Sequence, residues 1–125
     1  MEVGDYVRTK KGYIAKYKGI EKCNNIDGES EDWFIFDSTI IDDYGDRVPV
    51  EINKSYFIKT SPNIIDLIEV GDYVNGYKVL NVLDFNDNSK MLSLEKIYDS
   101  KITNEEIKSI LTKEQFEEME YKCTN

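Results

Sequence analysis

Asp84, Asn86, Asn88 and Glu95 occupy positions 1, 3, 5 and 12 of an EF-hand loop, where oxygen ligands would hold calcium. The sixth position needs glycine for its sharp turn and carries Ser89 instead, while Asn81-Val82-Leu83 and Met91-Leu92 on either side read as strands. An Asp/Asn-rich hairpin turn accounts for the same residues. Ser93-Leu94-Glu95-Lys96 has the spacing of an acylating Ser-x-x-Lys pair, but its companion motifs are absent and a strand edge explains it equally well. The chain has no histidine. That removes the usual general base near neutral pH, the partner of a cysteine nucleophile and the commonest zinc ligand. Neither a P-loop nor a Gly-x-Gly-x-x-Gly turn occurs. Cys23 and Cys123, near opposite ends, match no metal-ligand spacing, and both are expected as reduced thiols. The expectation is a binding protein and not an enzyme, with no catalytic residue, no metal and no cofactor.

Two oppositely charged segments are the remaining candidates. Residues 27–46 hold eight carboxylates and no lysine or arginine, around the aromatic cluster Trp33, Phe34, Phe36 and Tyr44. Glu29, Glu31, Asp32, Trp33, Asp42, Asp43 and Tyr44 form the acidic, aromatic candidate site. Carboxylates on a rigid sheet can imitate nucleic-acid phosphates, speeding encounter with a basic groove while buried aromatics supply lasting affinity. A solvated loop over a hydrophobic strand is the plainer alternative. The counterpart is basic: Arg8, Lys10, Lys11, Lys16 and Lys18, interleaved with Tyr13 and Tyr17, would suit a nucleotide or nucleic acid. Lysines guarding an exposed strand edge explain the same pattern. The net charge of −9 argues against a passive nucleic-acid binder unless the signs segregate onto different faces.

These side chains must be positioned by a mostly β scaffold, and the scaffold contains a repeat. Glu2-Val3-Gly4-Asp5-Tyr6-Val7 recurs without change as Glu69-Val70-Gly71-Asp72-Tyr73-Val74. Gly12-Tyr13-Ile14 then aligns with Gly76-Tyr77-Lys78 if three residues are dropped from the second copy. Each copy reads as turn, strand, turn and returning strand, with Asn75-Gly76 as a two-residue hairpin turn. Residues 24–32 read as a polar loop before the strand Trp33–Phe36, and Pro49 places its strand at an edge. Ile107–Leu111 is read as a strand. Short helices are expected near 62–67, after Ser61-Pro62, and near 113–119, where Thr112 and Gln115 fit a capping box. The fold class is therefore mainly β (α+β): two related SH3-like halves, 1–60 and 61–125, as separate barrels or one continuous domain. The path of residues 23–54 is left open.

The blocks Ser61-Pro62-Asn63-Ile64-Ile65-Asp66-Leu67-Ile68-Glu69-Val70-Gly71-Asp72-Tyr73-Val74-Asn75-Gly76 and Ile107–Phe116, with the opening Val3–Lys10, resemble small uncharacterised proteins of clostridial phages and prophages. The resemblance implies context, not mechanism: a phage-type accessory protein acting in the cytoplasm of a bacterial host. The expected partner is a host protein or ribonucleoprotein with a basic surface, inhibited by the acidic face, with an anti-CRISPR or other anti-defence role the most concrete form. The alternatives are a nucleotide or nucleic-acid binder or sponge, and a structural or regulatory interaction module. No membrane partner is expected, because no apolar run approaches the roughly twenty residues that span a bilayer. Association of identical copies is compatible with all three.

Overall fold

The computed structural model describes residues 1–24, 27–52, 54–85, 89–96 and 101–119. They form two compact units, Met1–Asn63 and Ile64–Asn125.

The first unit contains β1 (Tyr6–Thr9), β2 (Ile14–Asn24), β3 (Ser30–Phe36), β4 (Arg47–Pro49) and β5 (Phe57–Ser61), with a 3-10 turn at Lys54–Tyr56. Their order in the antiparallel sheet is β4-β3-β2-β1-β5. The second unit opens on a 3-10 turn, Ile64–Leu67, and continues through β6 (Tyr73–Val74), β7 (Tyr77–Asp84), β8 (Lys90–Leu94), β9 (Lys101–Ile102), a 3-10 turn at Asn104–Glu106, β10 (Ile110–Leu111) and α1 (Lys113–Met119). Its order, β10-β6-β7-β8-β9, repeats the first. Four meandering strands, with a fifth returned beside the first after a 3-10 turn, make an SH3-like arrangement twice over. The protein is mainly β.

The repeated hexapeptide builds one hydrogen-bonded turn in both units. Gly4 N–H donates to Tyr17 O at 2.9 Å, and Tyr17 N–H returns a bond to Asp5 O at 2.7 Å. Gly71 and Asp72 make the same exchange with Val79, at 3.0 and 2.7 Å. The carboxylates of Asp5 and Asp72 accept from the amides of Glu2 and Glu69, at 2.9 and 2.7 Å. Both glycines sit in the left-handed region, at φ 96° and 98°, which side chains rarely adopt. These bonds make Tyr17 and Val79 equivalent, so the second copy drops five residues between its first two strands, not three. A β-bulge follows at the matching place, Tyr17/Gly19 and Val79/Asn81.

Period-two alternation then fills each core. Val7, Ala15, Tyr17, Phe36, Ile40, Ile41 and Val48 are buried in the first unit; Ile65, Ile68, Val74, Val79, Leu92, Leu94 and Ile102 in the second. Phe36 sits among rings, 5.9 Å from Tyr17 and 6.0 Å from Phe57. β4 is an edge strand ending at Pro49, where the missing N–H costs no ladder bond. The acidic segment is less loop-like than its polarity implies. β3 begins at Ser30, so Glu31 and Asp32 stand on a strand, paired with Cys23 and Lys22. Of Ile107–Leu111, only Ile110 and Leu111 form a strand, paired with β6.

The Asn75-Gly76 turn takes positive φ at both residues, 52° and 86°. The Asn75 side chain also accepts from Lys108 N–H at 2.7 Å and Ser109 N–H at 3.1 Å, and donates to Glu106 O at 3.0 Å. Asn75→Ala should therefore destabilise the second unit by about 2 kcal/mol. Asn75→Gly, which keeps the turn but not the bonds, should lose less than the alanine variant; urea midpoints at unchanged m-value measure both.

Candidate functional site

On β3, Phe34 and Phe36 face the core, which turns Glu31, Trp33 and Ile35 to the opposite face. Trp33 meets Tyr44, from the β3–β4 connection, edge to face at a ring separation of 6.0 Å. That geometry suits aromatic pairs, and the half-exposed Tyr44 leaves the pair open to a partner. The expected four-ring cluster is thus split. Phe36 belongs to the core and Phe34 packs against it, because alternation sends them inward. Arg47 reaches Glu21 at 3.0 Å across β3, between the cross-strand neighbours of Ile35 and Trp33.

Beyond Pro49, β4 stops while β3 continues back to Ser30. Val50 N–H still donates to Asp32 O at 3.0 Å, and the step leaves a cleft of about 510 Å³. Glu31, Asp32 and Glu51 line it together with Lys22, Ser30, Pro49 and Val50. Glu29 is exposed just before the start of β3. Glu51, Pro49 and Val50 escaped the sequence reading because they follow the acidic run; the edge-strand proline was the available signal.

Asp42 and Asp43 lie elsewhere, in a second cleft with Lys11, Tyr13 and Tyr56. There the Tyr13 hydroxyl donates to the Asp42 carboxylate, and Lys11 Nζ stands 3.5 Å from the same group. Opposite charges therefore meet at this end of the unit, contrary to the expected separation of signs. The basic candidate site also changes. Arg8 is wholly buried and Tyr17 is 5 % exposed, so both leave the surface. β1 and β2 are inner strands of the sheet, and Tyr17 points into its core. Lys10, Lys16 and Lys18 stay exposed, with Lys16 Nζ 5.5 Å from the Tyr6 ring centroid. Lys16 is paired with Tyr6 of β1, whereas Lys18 lies on the stretch of β2 that pairs with β3 alone.

Of the calcium-like set, Asn86 and Asn88 lie outside the described residues, as does Cys123 of the cysteine pair. Asp84 stands 3.8 Å from Lys90 across the β7–β8 hairpin. Among the described residues no group of three or more His, Cys, Asp or Glu is placed to hold a metal ion, and no helix is long and apolar enough to cross a membrane.

These features define a duplicated small-barrel protein with an acidic, aromatic-flanked cleft in its first unit. Comparison with protein-family models, curated proteins and solved structures finds no match.

Proposed function

We propose that this chain is a binding module that takes a positively charged segment of a partner macromolecule into the cleft of its first unit. The observation that supports the reading is the cleft itself, lined by three acidic residues against one lysine, with Glu31, Asp32 and Lys22 on strands and Glu51 just past the end of β4. A lysine or arginine side chain entering it gains charge-assisted hydrogen bonds and lays its methylenes on Pro49 and Val50. Trp33 and Tyr44 supply an aromatic contact on the outer face of the same strand, the kind of anchor that carries binding energy. In the phage setting that the sequence resembles, the partner is a host protein or ribonucleoprotein with a basic surface. Occupying that surface inhibits the host function, an anti-CRISPR or other anti-defence action being the most concrete form.

Nucleotide binding through Lys10, Lys11, Tyr13, Lys16 and Lys18 has less support, because Arg8 and Tyr17 are buried and Asp42 already engages Lys11 and Tyr13.

Fluorescence anisotropy with a labelled lysine-rich peptide tests the proposal. Reversing Glu31, Asp32 and Glu51 to lysine should weaken binding about 100-fold, or ~2.7 kcal/mol. Trp33→Ala should weaken an aromatic-containing peptide about tenfold. Reversing Lys10, Lys11 and Lys16 to glutamate should leave affinity unchanged or improved. Equal losses from both triple changes, which shift the net charge in opposite directions, would mean that neither set marks a charge-specific site and would end the assignment.

A further inference from the structure

The two copies of the hexapeptide turn differ in what covers them. In the second, α1 is docked on it. Lys113 N–H donates to Asp72 Oδ1 at 2.9 Å, and Lys113 Nζ reaches Glu69 Oε1 at 2.8 Å. That contact favours the charged ammonium: the hydrogen bond to Glu69 holds the lysine above its ordinary pKa. The Lys113 side chain fills the space over Gly71, its Cδ 3.6 Å from where a Cβ would stand. Phe116, one turn on, stacks on Tyr73 at 4.8 Å and 24°.

The first copy presents the same groups with the space over its glycine open. Among the described residues, nothing lies within 4 Å of a Cβ built on Gly4. Glu2 is exposed and Val3 is 72 % exposed. Asp5 accepts from Glu2 N–H through Oδ2, and no donor to its Oδ1 stands among the described residues. Tyr6 has Lys16 over its ring where Tyr73 has an aromatic. The reason is local. By strand register Ser61 corresponds to Leu111, so Asn63 stands where Lys113 does. Asn63 N–H donates to Ser61 Oγ at 3.1 Å, and Pro62 replaces the buried capping residue Thr112.

We infer that the Glu2–Tyr6 turn is a docking platform for the start of a short amphipathic helix on a partner protein, opening with lysine and carrying an aromatic three residues later. The chemistry is read from the second copy. An aspartate accepts the first helical amide, a glutamate takes the lysine, and a tyrosine face takes the ring.

A peptide of residues 109–119 added to the full chain is the probe, since α1 already covers the second platform. NMR titration should show saturable shifts at the Gly4, Asp5 and Tyr6 amides. Asp5→Asn in the protein, or Lys113→Glu in the peptide, should each weaken binding at least tenfold. Glu2→Lys changes an exposed residue and keeps the fold; it should weaken the native peptide and restore affinity for the Lys113→Glu peptide. The Glu31, Asp32 and Glu51 triple reversal should leave this binding intact, so the two proposals fail separately. Absence of saturable shifts at millimolar peptide, shifts confined to Gly71, Asp72 and Tyr73, or no rescue by the charge swap would overturn the inference.

Discussion

Phe36→Ala should remove about 3–5 kcal/mol of stability, with the loss concentrated in residues 1–63. Phe36 is 2 % exposed and holds Tyr17 and Phe57 together, so its removal leaves a cavity bordered by two rigid rings that collapse poorly. The chain's only tryptophan, Trp33, lies in the same unit, and its fluorescence reports that unit's unfolding. The fluorescence midpoint in urea should fall steeply, while hydrogen exchange in β7 and β8 stays near its original rates. Equal loss of protection in both halves would show that the two cores unfold as one.

Asp72→Ala should cost about 3 kcal/mol, and the matched change Asp5→Ala only about 1 kcal/mol, although both residues sit in an identical hexapeptide. Asp72 is wholly buried, and its carboxylate satisfies two amides, Glu69 N–H and Lys113 N–H. Alanine strands both donors and releases the start of α1, taking the Phe116 stack on Tyr73 with it. Asp5 holds one amide at a half-exposed site. Urea denaturation followed by far-ultraviolet circular dichroism measures both losses, and Trp33 fluorescence should scarcely move for Asp72→Ala. Equal costs for the two variants would mean that the turn, and not the docked helix, sets the penalty.

The parts of this fold visible in the sequence are those governed by near neighbours in the chain. Asn75-Gly76 is a turn because those residue types tolerate positive φ. Thr112 and Gln115 close the capping box before α1, with bonds of 3.4 and 3.5 Å. The candidate site was half legible. Glu31, Asp32 and Trp33 stood out by type, yet the polarity of residues 24–32 concealed that the first two lie on a strand. The cleft forms only where Val50 and Glu51 come alongside Asp32, nearly twenty residues away in the chain.

By itself the sequence determined the duplication, the mainly β character and the absence of histidine chemistry, since repeats, alternation and composition need no third dimension. Tertiary structure alone decided which charges are available. Arg8 reads as a surface cation until β5 closes against β1, with Lys59 as its strand partner. Lys11 and Tyr13 read as ligand contacts until Asp42, 29 residues beyond Tyr13, meets them. Burial and ion pairing are properties of neighbours in space, and the strand order that supplies those neighbours comes from long-range closure that local residue types do not encode.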